Sequence, residues 1–334
     1  MKYVKLFEEF KEDKWWKKYT KYNLSAYPTN VPEDQVKIDL SGDIDTHPVM
    51  IWKSPKTGKT VYAYTKARMD SQKDIKYSRI ENMTDEQIET LKVLCHDAIV
   101  GDDSDEMKQA AAVISIIAQT GLRPGSIEGF SRTENRGVST LSKKNISING
   151  SNIKMDFIGK SFKPNVAEIN DGALAHYLEE RLKNLSDEDF VFNVSKSYIE
   201  TFYKKTLNMG KYKIKDLRTF VANKIAKYFL DNDPEMPPPV PEKPSEIKKV
   251  VKKKLQHAFE YVSQKLNNSP SMAKNSYVNP ALIDSWLNHL GIKVSLEPVT
   301  EEEETIEPKE FIGNVPVYNL PRWWDSDEIE LTKK

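Results

Sequence analysis

Five side chains spread along the sequence have the types that phosphoryl transfer requires: Arg123, Lys160, Arg218, Asn268 and Tyr277. A phenol attacks phosphorus when nearby cations stabilise the charge that develops. The transfer loads two non-bridging oxygens with negative charge. A guanidinium stays charged and donates two parallel hydrogen bonds, so one arginine suits each oxygen. The Asn268 amide adds a further donor. The alkoxide that leaves needs a proton, and Lys160 can act as its general acid. Tyrosine by itself is a weak signal, since the chain holds 15 of them and most tyrosines fill cores or surfaces. Tyr277 stands out only through the cations and the amide that accompany it.

Local patterns place each of these residues. Apolar side chains at 107, 110, 111, 114, 117 and 118 recur with helical spacing, behind the acids Asp103, Asp105 and Glu106 at the helix start. That helix stops at Gly121. Leu122-Arg123-Pro124-Gly125-Ser126 then forms a tight corner that holds Arg123 between two helices. Residues 137–141 and 145–148 read as strands, with Asn149-Gly150 as a hairpin turn. Ile153, Met155 and Phe157 alternate on the return strand, which puts Lys160 at the far end of the hairpin. The plainer reading of Lys160 is an edge lysine that discourages aggregation.

Residues 172–208 read as helical, broken near 186–190. A helix from about 213 to 230 carries Lys215 and Arg218 near its start. Six prolines between 234 and 244 mark an extended connection. A lysine-rich helix over 245–266 then leads to Asn268 and Tyr277. The proline stretch predicts that this helix is loosely held until a ligand arrives.

The length, 334 residues, favours more than one domain. Short β-branched runs at 36–40, 49–52 and 60–65, with a turn at 55–58, predict a small antiparallel sheet. Its edges and turns carry Lys53, Lys56, Lys59 and Lys66. Thr84 reads as the N-cap of the next helix. The expected domains are therefore a β-rich one over 1–82, a mainly helical one over 83–296, and an acidic, flexible tail over 297–334. The fold class is α+β. The stretch from Lys14 to Tyr22 interleaves lysines with aromatics, which fits either stacking on bases or a short amphipathic helix packed on its own domain.

Acidic and basic residues number 50 each, so net charge identifies no partner. Ten acids and four bases from Glu301 onward leave that end at −6 and the rest at +6. A basic body with an acidic end fits a nucleic-acid binder with a solvated tail, and also an ordinary protein. A single cysteine, Cys95, excludes a disulfide framework and a thiolate cluster. The five histidines are far apart, so no metal is expected. With no apolar run of membrane length and no signal-peptide core, a cytoplasmic protein is expected, in a bacterial cell or in the host cytoplasm if viral.

The segments that hold these residues resemble the type IB DNA topoisomerases of the compact poxvirus and bacterial kind. Gly121-Leu-Arg-Pro-Gly-Ser126 is similar to their first-arginine motif, and Glu134-Asn-Arg-Gly-Val-Ser-Thr-Leu141 to the segment after it. Phe157-Ile-Gly-Lys-Ser161 resembles the lysine hairpin, and Lys215-Asp-Leu-Arg-Thr219 the second-arginine motif. The stretch from Asn268 through Tyr277 to Pro280 resembles the nucleophile segment. The likeness spans roughly residues 50–290, in family order.

The resemblance implies a helical catalytic core with a three-stranded sheet, of the tyrosine recombinase and topoisomerase IB type, which clamps duplex DNA together with the N-terminal domain. It implies that Tyr277 forms a 3′-phosphotyrosyl bond with a backbone phosphate. Arg123 and Arg218 would bind the non-bridging oxygens, and Lys160 would protonate the 5′-hydroxyl, with Lys215 in assistance. Asn268 stands where poxvirus members have His and bacterial members Asn. It can donate a hydrogen bond but cannot act as an acid. Lys53, Lys59, Lys66 and Lys163 are the expected DNA contacts. Neither ATP nor a metal is needed, no cofactor is expected, and the chain would act as a monomer.

Two other readings stand beside this one. A site-specific tyrosine recombinase shares the fold and the nucleophile but usually has His where Lys215 stands. A DNA-binding protein without catalysis would keep the fold and lose part of the side-chain set.

Overall fold

The computed structural model describes residues 14–232, 243–296, 310–312, 315–317 and 329–333. The chain divides into two compact units, Met1–Lys76 with Ile306–Asn319, and Tyr77–Thr305 with Leu320–Lys334.

In the first unit, β1 (Lys37–Ile38), β2 (Met50–Lys53) and β3 (Thr60–Ala63) form an antiparallel sheet in sequence order. Met50, Trp52 and Ala63 point into a core shared with Leu24, Val31, Val36 and Val49. The 3₁₀ segment Trp15–Tyr22 packs on this unit. Trp15 Nε1 donates to the Val31 carbonyl at 2.8 Å, and Trp16 stacks on Tyr27 with centroids 5.0 Å apart. Of the two sequence readings of this stretch, its aromatic side follows the one in which it packs on its own domain. Residues 1–13 lie outside the described part.

The helix α1 (Lys66–Glu81) runs across the boundary between the units, which falls between Lys76 and Tyr77 and so ahead of the 82/83 border expected from sequence. Lys66 opens this helix and is not on a sheet edge. In the second unit α2 (Asp85–Val100) starts with a capping box: Thr84 Oγ1 accepts from Gln87 N, and Gln87 Oε1 accepts from Thr84 N. Next comes α3 (Asp105–Thr120), capped by Ser104 and stopped by Gly121 at φ +66°. Every residue from Gln109 to Ala118 is buried. The sequence spacing predicted one apolar face, but α3 is enclosed all round and is the axis of the unit.

After the short α4 (Ile127–Thr133), β4 (Ile146–Asn149), β5 (Asn152–Gly159) and β6 (Lys163–Asn170) form an antiparallel sheet in that order. Asn149 pairs with Asn152, so the hairpin turn is Gly150-Ser151, one residue later than the expected Asn149-Gly150. The expected strand over 137–141 is instead a buried 3₁₀ turn, Val138–Thr140. Its backbone cannot pair as a strand because Val138 N and Ser139 N already donate to the carbonyls of Arg123 and Pro124, each at 2.8 Å.

The remaining helices are α5 (Gly172–Leu182), α6 (Lys196–Thr201), which continues as a π turn over Phe202–Thr206, α7 (Ile214–Asn232), α8 (Pro244–Lys265), α9 (Pro270–Ser276) and α10 (Pro280–His289). The break between α5 and α6 is longer than the expected 186–190. The short strand β7 (Ile292–Leu296) follows. Later come the hairpin β8 (Glu310–Ile312) and β9 (Val315–Val317), and finally β10 (Ile329–Lys333), which pairs antiparallel with β7. The expected flexible tail over 297–334 and the proline stretch 234–244 fall largely outside the described residues.

The second unit has two apolar clusters. One joins α2, α3, α5 and the three-stranded sheet and ends at Leu217. The other begins at Ala222 and includes Val251, Leu255, Phe259, Val262, Tyr277, Ile283 and Leu287. Thus α7 runs through both, and Arg218 lies on it at their junction. Between Arg79 on α1 and Asp216 on α7 there is a two-pronged ion pair (Nε to Oδ2 2.7 Å, Nη2 to Oδ1 3.0 Å), which fixes the start of α7. Among the described residues no helix is long and apolar enough to cross a membrane.

Candidate active site

Arg123 sits on the corner after α3. The corner is held by glycines for a steric reason. Gly125 has φ +79°, and its backbone lies against Gly137: a Cβ on Gly137 would come 2.5 Å from the Gly125 Cα and 2.7 Å from the Arg123 carbonyl. Two bare backbones in contact, together with the bonds from Val138 and Ser139, lock the main chain around Arg123.

Arg218 is 1% exposed. Its Nη1 donates to the Gly121 carbonyl at the end of α3, and its Nη2 to the Leu266 carbonyl at the end of α8, at 2.6 Å. Among the described residues no carboxylate pairs with it, and its Nε is buried without a partner. A buried guanidinium that no carboxylate neutralises retains most of its field for whatever lies beside it. What lies beside it is the Tyr277 ring, with the guanidinium carbon 5.0 Å from the ring centroid. Burial pulls the Arg218 pKa below the ordinary arginine value, and repulsion from Arg123 adds to this, while the Tyr277 phenol works against it.

Tyr277 caps the C-terminus of α9 and is 2% exposed. Burial alone would resist its ionisation. The Arg218 and Arg123 cations, with a smaller contribution from Lys215, outweigh burial and bring the phenol below its ordinary pKa. Three of the residues singled out from sequence therefore act on the phenol of a fourth. Lys215 is exposed on the first turn of α7.

Asn268 follows α8, and its backbone N–H donates to the Ser263 carbonyl at 2.9 Å. Both polar atoms of its side chain are buried without a partner among the described residues, two residues from the Leu266 carbonyl that Arg218 holds. Buried amides are normally satisfied, so an unsatisfied one next in the chain to the segment that holds Arg218 is a mark of a site rather than of packing. The helix before it, α8, is packed into the second apolar cluster through Ile247, Val251, Leu255 and Val262. That packing removes the reason to expect a loosely held helix.

Lys160 opens a 3₁₀ turn, Lys160–Phe162, between β5 and β6, and is exposed. The structure does not bring its side chain into contact with Tyr277. Its hairpin is tied to the site from both sides: Arg136 N donates to the Ile158 carbonyl at 3.0 Å, and Asn267 Nδ2 to the Val166 carbonyl at 3.4 Å. Lys163 is exposed at the start of β6, and Lys53, Lys59 and Lys66 are exposed in the first unit.

Two residues that hold the site had no role assigned from the sequence, although Arg136 lies in the quoted Glu134–Leu141 segment. Asn223 Nδ2 donates to the Tyr277 carbonyl at 3.0 Å and to the Thr219 carbonyl at 2.7 Å, and its Oδ1 accepts from Asn279 N at 2.8 Å. It thus grips the backbone on both sides of Val278 and sits five residues beyond Arg218 on the same helix. Arg136 lies over Phe130 at 4.6 Å and Phe190 at 5.7 Å, and its Nη1 donates to the Thr140 carbonyl at 2.7 Å. A polar residue on a helix offers no sequence signal for a backbone partner fifty positions away. Among the described residues no group of three or more His, Cys, Asp or Glu side chains is placed to hold a metal.

A family model described as "Eukaryotic DNA topoisomerase I, catalytic core" matches residues 65–289. A DNA topoisomerase 1B from Acanthamoeba polyphaga mimivirus is 22% identical over 268 residues, which cover 72% of this chain and 73% of that protein. Among solved structures, the XerH site-specific recombinase bound to its difH substrate in a pre-cleavage complex aligns with a TM-score of 0.34 at 14% identity. That alignment covers 57% of this chain, which spans about half of the recombinase chain (49%).

Proposed function

The chain belongs to the DNA topoisomerase I catalytic-core family, matched across residues 65–289, and from this we propose that it relaxes supercoiled duplex DNA by a type IB reaction at Tyr277. The Tyr277 oxygen attacks a backbone phosphorus. A bond from tyrosine to the 3′-phosphate forms as the bond to the 5′-oxygen breaks. Arg123 and Arg218 bind the two non-bridging oxygens, and the Asn268 amide donates to one of them. The phenolic proton goes to solvent, and Lys160 gives a proton to the departing 5′-oxygen, assisted by Lys215. The cut strand rotates about the intact one, and the 5′-hydroxyl then attacks the phosphotyrosine in reverse. The phosphotyrosine conserves the energy of the broken ester, so the cycle needs neither ATP nor a metal ion.

The observation that carries this reading is the contact between Arg218 and Tyr277. A phenol and a guanidinium, both almost removed from water, face each other at 5.0 Å, and the guanidinium has no carboxylate among the described residues to neutralise it. That arrangement favours a phenolate and an anionic phosphorane, and it would be costly in a merely structural core. Relaxation of a supercoiled plasmid in EDTA without nucleotide tests it. The wild type is expected to yield a ladder of topoisomers and Tyr277→Phe none. A requirement for ATP, or relaxation by the Phe variant, overturns the reading.

A further inference from the structure

Phe162 ends the 3₁₀ turn that Lys160 begins, and the mechanism above leaves it without a role. It is 72% exposed, more than any other large apolar side chain among the described residues. Its φ is +56°, in the left-handed region that an aromatic residue rarely adopts. Its amide reaches Asn135 Oδ1 at 3.4 Å, in the segment that also binds β5 through Arg136. The hairpin therefore holds the ring out into water in a disfavoured backbone conformation, where a polar residue or a glycine would fit better. A maintained outlier of this kind beside a catalytic candidate points to a use.

The outer face of the hairpin shows what that use involves. Ile158, 48% exposed, pairs across the strands with Pro164, and Val166, 46% exposed, pairs with Asp156. This apolar strip runs up to Phe162 and is flanked by Lys160 and Lys163, both exposed. Cations on either side of a protruding ring suit a partner with phosphates outside and apolar ring faces within.

We propose that Phe162 is a wedge that enters the base stack of duplex DNA beside the phosphate to be cut, and that by doing so it fixes Lys160 near the 5′-oxygen. Apolar side chains inserted at base steps unstack and kink DNA in other settings, so the partner chemistry is that of a base step and not of a protein surface. Lys160 and Lys163 hold the flanking backbone while the ring takes the place of a stacked base. The proposal rests on the functional reading of Tyr277.

The test uses the full chain carrying Tyr277→Phe, which binds without cutting, and a duplex whose cut site has been mapped with the wild type. A 2-aminopurine placed at the step next to that phosphate reports unstacking. Its fluorescence is expected to rise at least threefold on binding. Adding Phe162→Ala should remove most of the rise at saturating protein, and Phe162→Leu should keep part of it. An equal rise with the Ala variant, at demonstrated full occupancy, overturns the wedge. So does a Leu variant no different from Ala. A wild type that forms no covalent complex overturns the functional reading and the wedge with it, and the two failures are distinguished in this way.

Discussion

Replacing Asn223 by Ala should slow cleavage without weakening DNA binding. The side chain makes three hydrogen bonds, to the carbonyls of Thr219 and Tyr277 and from the amide of Asn279. A net hydrogen bond contributes about 1 kcal/mol, and the two bonds that grip Tyr277 and Asn279 are the ones that aim the phenol. Asn223 is half-buried, so water replaces part of what is lost. A loss of about 1.5–2 kcal/mol in positioning corresponds to a rate lower by about ten- to thirtyfold. The assay is single-turnover capture of a nicked duplex at saturating DNA, with affinity measured separately in the Tyr277→Phe background. Asn223→Asp is expected to do no better than Ala, since it sets an acceptor against the Tyr277 and Thr219 carbonyls. An Ala variant that cuts at the wild-type rate, or whose loss vanishes at higher DNA concentration, refutes the positioning role.

Cleavage should accelerate with pH and level off below the ordinary phenol pKa, because the two arginines favour the phenolate more than burial opposes it. Removing one of those cations with Arg123→Ala should move the break to higher pH and lower the plateau by about 10²–10³-fold, as loss of an oxyanion donor does; a break that moves down contradicts the electrostatics. Gly137→Ala forces a Cβ into the Gly125 backbone and the Arg123 carbonyl, so cleavage should fall by at least about tenfold, with a lower melting temperature; a fully active variant would show that the corner yields. Lys160→Ala should be strongly impaired on ordinary DNA and largely restored on DNA with a 5′-bridging sulfur, whose thiolate leaves without a proton. Equal impairment on both substrates removes Lys160 as the general acid.

Candidate side chains for phosphoryl transfer could be picked from the sequence by type and spacing, but the arrangement that sets Arg218 over the Tyr277 ring could not. Thr84 and Gly121 were readable as helix ends because capping is local chemistry. The β4–β5 hairpin that leads to Lys160 was readable from alternation, with its turn misplaced by one residue, whereas β6, which makes Lys160 part of a second hairpin, was not read. The helix α1 was missed because only Tyr77 and Ile80 are buried on it, which leaves no apolar period to detect. The 137–141 segment alternated like a strand, but its amides are taken by Arg123 and Pro124. The all-round burial of α3 depends on what packs against it, and one helix's spacing does not encode its neighbours. Arg218 was picked for its charge. That this charge would be buried over the tyrosine ring, held by two distant carbonyls, follows only from the meeting of α3, α7 and α8.

The central claim is a covalent bond between DNA and one phenol. A nicked duplex that traps the cut state, incubated with the protein in EDTA and then digested with protease, identifies the bonded residue by mass. A 3′-phosphate on the peptide containing Tyr277 and a free 5′-hydroxyl on the released strand are expected. DNA joined to any other residue, or through a 5′-phosphate, contradicts it.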